Sequence, residues 1–225
     1  MQLRADNPAL AQAITIHPRM VKSPTETTIL KSVSTNKKVG KGGNIVAKGK
    51  WRGMPMFQMS LQERASCPRT CKQWAKCYGN NMAFAHRIDH THPDFLSCLE
   101  AEIDLLCKRY SFGIVIRPHI IGDYYSPEYA AFWIEQTAKH RNLHIFGFTH
   151  WERDSIIGRM ITEWNKNPKV WVRFSDQGGD MSANVAGGEF DDEGFTCPEQ
   201  TGKTYNCLTC GACWTTTKAV KFLEH

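Results

Sequence analysis

Between residues 94 and 175 the chain repeats one pattern, in which a stretch with apolar residues at helical spacing alternates with a short, dense, β-branched stretch. "PDFLSCLEAEIDLLCKRY" sets Leu96, Leu99, Ile103 and Leu106 on one helical face, and "FGIVIRPHII" after it reads as a strand. In "GDYYSPEY" the Ser126 hydroxyl can accept from the free N–H groups of a helix's first turn, where Pro127 has no N–H to leave unpaired. "NLHIFGFTH" is the next strand, "RDSIIGRMITEWNKNP" the next helix and "KVWVRFS" the strand after it, with "MFQMSL" a candidate strand ahead of the first helix. Such an order implies parallel strands joined by right-handed crossovers. The expected fold class is α/β, as a partial (βα) barrel or an open parallel sheet, because only about four core strands fit between residues 56 and 175 and a closed barrel needs eight.

In parallel sheets, chemistry gathers where strands end and the next loops begin. That rule selects the loop after "MFQMSL", then Gly122 and Asp123, Thr149 and His150, and Ser175 and Asp176. Arg117 and His119 alternate on one strand and share a face, either toward a barrel centre or as a buried pair satisfied by hydrogen bonds. Asp123 has an equally plain reading as the residue that organises the turn before Ser126.

The first of these loops, "QERASCPRTCKQWAKCYGN", holds Cys67, Cys71 and Cys77 spaced C-x3-C-x5-C. Three thiolates on one metal centre leave a coordination position open, as a catalytic metal requires; a tail cysteine or one of His86, His90 and His92 would close it. A second group, Cys197, Cys207, Cys210 and Cys213, lies in "FTCPEQTGKTYNCLTCGACW". Zinc ribbons carry two separated C-x2-C pairs, whereas C-x2-C-x2-C with a further cysteine is closer to ferredoxin spacing, which favours an iron–sulfur cluster with zinc as the alternative. One or two [4Fe-4S] clusters would account for both groups. Cys98 and Cys107 fall nine apart within the first helix and read as small buried side chains.

The compartment bears on this. No run of about 18 apolar residues offers a membrane span, and "MQLRADNPALAQ" lacks the apolar centre of a secretory signal, so the expected address is the cytoplasm. Thiols stay reduced there, and nine cysteines in clusters then argue for metal ligation over disulfides.

The net charge of +6 is concentrated at one end, with ten Lys and Arg against two acids in residues 1–52. Residues 1–55 are expected to form a basic arm able to meet a nucleic-acid backbone, although few aromatics are interleaved for stacking and a solvated leader is the plainer reading. Residues 56–176 form the βα core with the cysteine loop. Residues 177–222, opening on the aperiodic "DQGGDMSANVAGGEFDDEG", form a long loop and the cysteine-rich tail. The closing "LEH", residues 223–225, looks like the start of a vector-encoded tag.

Taken together, "SCPRTCKQWAKCYG", "RPHIIGDYYSPEY", "FGFTH", "RFSDQGG" and "CPEQTGKTYNCLTCGACW" resemble the gene-product-88-like family of phage proteins over roughly residues 56–214, a resemblance that brings no activity with it. A weaker resemblance is to the radical S-adenosylmethionine (SAM) enzymes, whose partial barrels hold a three-cysteine [4Fe-4S] cluster in the loop after the first strand. Their spacing is C-x3-C-x2-C, and Asp123 stands where they carry a glutamate. That resemblance implies a cluster on Cys67, Cys71 and Cys77 that chelates SAM, with Gly122 and Asp123 meeting its ammonium group, Ser175 its carboxylate or ribose, and Arg117, His119 and Thr149 lining the ligand site. The tail would then be an auxiliary cluster, and the substrate stays open. The other reading is a metal-stabilised, non-catalytic protein that binds a host or phage macromolecule or nucleic acid.

Overall fold

The computed structural model describes residues 1–223. In chain order the elements are α1 (Pro8–Gln12), β1 (Val21–Lys22), β2 (Lys31–Ser32), β3 (Met56–Gln58), β4 (Arg87–Ile88), α2 (Phe95–Arg109), β5 (Ile114–Arg117) and α3 (Pro127–Lys139). They continue with β6 (Leu143–Thr149), α4 (Ile156–Trp164), β7 (Val170–Ser175), β8 (Ser182–Val185), β9 (Phe195–Thr196), α5 (Cys207–Cys210) and β10 (Val220–Phe222). The protein is α/β, built on an eight-stranded mixed sheet in the order β2-β3-β5-β6-β7-β8-β10-β9. Only the β2–β3 pair is antiparallel. A separate parallel pair joins β1 to β4.

Side-chain alternation divides the sheet into two faces. Phe57, Ile114, Ile116, Leu143, Ile145, Val170, Val172 and Phe174 point to one core, packed with Leu99 and Ile103 of α2, Tyr129 and Trp133 of α3, and Ile157 and Ile161 of α4. The offset positions Met56, Val115 and Phe146, with Phe148 and Trp171 partly buried, point to the other side. There they meet Val33, Val39, Val46, Trp51 and Met54 from the first 55 residues and Leu208 and Trp214 from the tail. Burial on both faces is why the strands read as continuous apolar runs. Each fully buried side chain of this size contributes about 1.5–3 kcal/mol.

The helices follow the chemistry of their ends. Ser126 and Ser155 cap α3 and α4 through their hydroxyls, accepting from Tyr129 N and Gly158 N. Ser126→Ala should lower unfolding free energy by about 1 kcal/mol, read as a lower midpoint in urea.

Two expectations need correction. Residues 1–55 are not a solvated leader: Ile29, Leu30, Val33, Val39, Val46 and Trp51 are buried, and Lys31–Ser32 pairs with β3. Apolar residues between the lysines satisfy the two-faced sheet, which the charge count had obscured. Residues 177–222 are not only loop, because Ser182–Val185 and Val220–Phe222 are paired strands, too short to show a period. Of the expected tag remnant, Leu223 is described and donates its N–H to Gln200 Oε1 at 3.0 Å; residues 224–225 lie outside the described residues. Among the described residues no helix is long and apolar enough to cross a membrane.

Candidate functional site

Every strand-end position singled out from the sequence lies on one side of the molecule. Cys67, Cys71, Cys77, Arg117, His119, Gly122, Asp123, His150, Ser175, Cys207 and Cys213 line a single cavity of about 1110 Å³. Thr149 stands just behind them, buried. The rule that loops after parallel strands collect functional groups therefore holds geometrically.

The cysteine loop is held from below by a buried ionic framework. Glu63 Oε2 accepts from Arg87 Nε at 2.7 Å, and Oε1 accepts from the Thr15 hydroxyl at 2.7 Å. Arg87 also donates to the carbonyls of Gly79, Met82 and Ala85. Arg64 donates to Asn80 Oδ1 at 2.9 Å and to Ile14 O at 3.0 Å. Both guanidinium groups and the carboxylate are buried. Burial alone would raise the Glu63 carboxyl, but the bonds from Arg87 and Thr15 outweigh it and hold the group below its usual range. These links cross residues 63–87, the segment that carries the three thiols.

Those thiols are free and partly buried. Burial pushes Cys67 well above the ordinary thiol value and Cys71 up to about 12, and each feels the neighbouring cysteine charges. Working the other way, backbone groups of Arg64, Gln73 and Gly79 hydrogen-bond Cys67, Cys71 and Cys77 and favour their thiolates. A set of mutually repelling thiols supplied with N–H donors suits a cationic centre. Among the described residues no three Cys, His, Asp or Glu side chains converge closely enough to hold a single metal ion. One zinc needs its thiolates roughly 3.8 Å apart, from Zn–S bonds of about 2.3 Å in a tetrahedron. A cubane seats each thiolate on a different iron and takes a wider array. Of the histidines considered as a closing ligand, His86 reaches the cavity, with Nδ1 at 2.9 Å from Lys31 Nζ. His90 packs on Tyr125, and His92 Nδ1 accepts from Asp94 N.

The tail group is shaped by its own turn chemistry. Asn206 caps α5 in a reciprocal box with Thr209, Cys207 and Cys210 occupy its two ends, and Gly211 in the left-handed region reverses the chain to return Cys213. Cys197 is buried and packs in one cluster with Ala183, Val220 and Cys213. Burial and the Cys213 charge push Cys207 up to about 12, partly offset by Arg117 and Lys38. The segment docks through Cys207 N to Lys38 O, Leu208 N to Val39 O and Trp214 stacked on Trp51. From the sheet, Arg173 donates to the carbonyls of Cys213, Thr216, Lys218 and Ser182. Each cysteine group interacts within itself, and Cys207 and Cys213 of the tail group line the same cavity as Cys67, Cys71 and Cys77.

Asp123 is buried, its Oδ1 accepting from Tyr124 N and the Thr149 hydroxyl at 2.8 Å each, and Oδ2 from His150 N at 2.7 Å. It ties the end of β6 to the loop after β5, while burial raises its carboxyl to about 6. Three of its roughly four acceptor sites are thereby used. Gly122 has φ +93°, and a Cβ there would stand 2.6 Å from Ser66 Oγ and 2.8 Å from Leu61 Cβ. Gly122→Ala should therefore cost stability by at least the roughly 1–2 kcal/mol of the left-handed backbone and push the cysteine loop outward. Denaturant unfolding and faster proteolytic nicking within residues 61–67 would register it. His119 bonds Tyr129 Oη through Nε2 at 3.1 Å, and burial with the Arg117 charge draws it down to about 3, so it is neutral near pH 7. Ser175 lines the cavity, half-buried.

Sequence reasoning missed Glu63, Arg64, Arg87 and Arg173. For Arg173 a signal existed, since a charged residue inside "VWVRFS", between Trp171 and Ser175 on the inner face, requires buried partners. Glu63 and Arg64 lie in an irregular segment and Arg87 in the two-residue β4, neither with a period to mark it.

Fold and site together define an α/β protein with two cysteine groups at the C-terminal edge and inner face of a mixed sheet. Compared with protein-family models, curated proteins and solved structures, the chain matches none.

Proposed function

We propose that this is an iron–sulfur protein, with one [4Fe-4S] cluster on Cys67, Cys71 and Cys77 and a second on Cys197, Cys207, Cys210 and Cys213. The observation that supports the reading is that Cys67, Cys71 and Cys77 of the first group and Cys207 and Cys213 of the second line the same cavity. On this reading Cys67, Cys71 and Cys77 would hold a cluster through three thiolates, and the bound cluster would supply electron transfer or Lewis acidity at the cavity. The chain's own residues then do the remaining work. Arg64, Gln73 and Gly79 stabilise the thiolates through backbone bonds. Asp123 fixes the loops that shape the cavity, and the Glu63 framework keeps the cysteine loop seated. The radical-SAM resemblance makes SAM the proposed occupant of the open position, and the phage-family resemblance makes a host cytoplasm the proposed address.

Protein purified without oxygen should be brown, absorb broadly in the visible, and contain iron with acid-labile sulfide. With SAM and a strong reductant it should release 5′-deoxyadenosine and methionine; an intact cluster that releases neither sinks the SAM assignment. The second reading is a zinc-stapled tail that stabilises a binding protein. It is favoured by how tightly the tail packs, with Trp214 on Trp51 and Arg173 on the carbonyl of Cys213. A colourless, zinc-loaded protein would select it.

A further inference from the structure

The cavity's ionic lining is one-sided. Lys31, Lys37, Lys38 and Arg117 face it, against the carboxylates of Asp123 and Asp176. Both carboxylates are engaged: Asp123 takes the three bonds given above, and Asp176 accepts from Val185 N at 2.9 Å and Gln73 Nε2 at 3.2 Å. Among the described residues neither forms an ion pair with Arg117 or Lys38.

Arg117 is the distinctive group. It ends β5 on the inner face of the sheet, with its guanidinium carbon 5.8 Å from the Phe146 ring and 5.1 Å from the Phe148 ring. Its Nε is buried and has no hydrogen-bond partner. Among the described residues the guanidinium makes no ion pair either. Lys38 lies 4.5 Å over the Phe222 ring, and its charge, like that of Arg117, acts on Cys207, so the two cations share one wall. A planar guanidinium held by aromatic faces, with an ammonium on the same wall, is the arrangement that receives a carboxylate or phosphate, and desolvation strengthens the contact. Phe146, Phe148 and Phe222 also give the cavity an apolar floor.

We propose that the cavity takes a substrate carrying a carboxylate or phosphate group, received by Arg117 with Lys38 beside it, while its apolar part rests on Phe146, Phe148 and Phe222. This rests on the preceding section only in treating the cavity as the reaction chamber; anion binding itself needs no cluster.

The test uses the full chain and three probes, benzoate, phenyl phosphate and the neutral isostere benzamide, titrated at low salt with changes in the protein's NMR spectrum as readout. Benzoate or phenyl phosphate should bind at least about tenfold more tightly than benzamide. The tighter of the two identifies the acidic group. Arg117→Met should abolish the preference with iron content unchanged, and Arg117→Lys should restore part of it. If Arg117→Met does not fold, Lys38→Met should still weaken the charged probes several-fold and leave benzamide as before. Equal binding of benzamide and benzoate overturns the proposal, as does an Arg117→Met protein that keeps the preference. An Arg117→Met protein that instead loses iron overturns it too, by assigning the guanidinium to the tail thiolates. A colourless protein that still prefers the anions would leave this site standing and sink the cluster reading alone.

Discussion

Cys71→Ala protein should emerge from anaerobic purification with its iron and sulfide reduced to what the tail group alone retains, and Cys210→Ala with the reciprocal loss. The expectation follows from the electrostatic grouping. Cys67 responds to Cys71 and Cys77, and Cys71 to Cys77, while Cys213 responds to Cys197 and Cys210. Two centres then lose metal independently, each variant keeping about half the iron if both are four-iron clusters. On the proposed reading the two residual visible spectra should differ, because three thiolates would leave a coordination position for exogenous ligand and four would not. Loss of all iron in either variant would mean a single shared centre. The structure holds Cys207 and Cys213 on the wall of the same cavity as the first group, so that outcome has a geometric meaning as well.

Glu63→Gln should be the most destabilising single change outside the hydrophobic core, at about 3 kcal/mol near pH 7. It leaves Arg87 and Arg64 buried without their counter-charge, and the amide can accept only at one of its two ends. The pH dependence has a definite sign. The folded carboxyl lies below its unfolded value of about 4.3, so its contribution is fully present above that pH. It is lost as pH falls through the lowered folded value. The gap between wild-type and variant should thus be constant from pH 7 to 5 and shrink below about pH 4, as read from urea unfolding at each pH. A constant gap down to pH 3 would show that the carboxylate's charge is not what the framework uses. Because the framework spans the thiol-bearing loop, the variant should also lose iron from the first group faster than from the tail.

What was legible in the sequence was whatever repeats. The alternation that marks α2, β5, α3, β6, α4 and β7 is periodic because each element faces a continuous core, and the caps Ser126 and Ser155 sit where the period begins. β5 ends at Arg117, short of the apolar run that continues to Ile121, because Pro118 has no N–H for the ladder. β2, β8, β9 and β10 have two to four residues each, and their existence depends on neighbours distant in sequence. The same division applies to the site. Cysteine spacing announces itself locally, and strand-end positions follow from topology. Glu63 meeting Arg87 and Thr15, or Arg173 meeting the tail carbonyls, are encounters between segments that carry no mark of one another.

The placement of β10 has a consequence for how the chain acquires this shape. β10 is synthesised after β9, yet it lies between β8 and β9 and, among the described residues, supplies the only strand pairing that β9 has. As the chain leaves the ribosome, β3, β5, β6, β7 and β8 can add to the sheet in the order in which they appear. β9 must wait, and Cys197 with it, since Cys197 N bonds to Lys221 O. The four tail thiols therefore come together as a set only when the β10 segment is inserted beside Cys197.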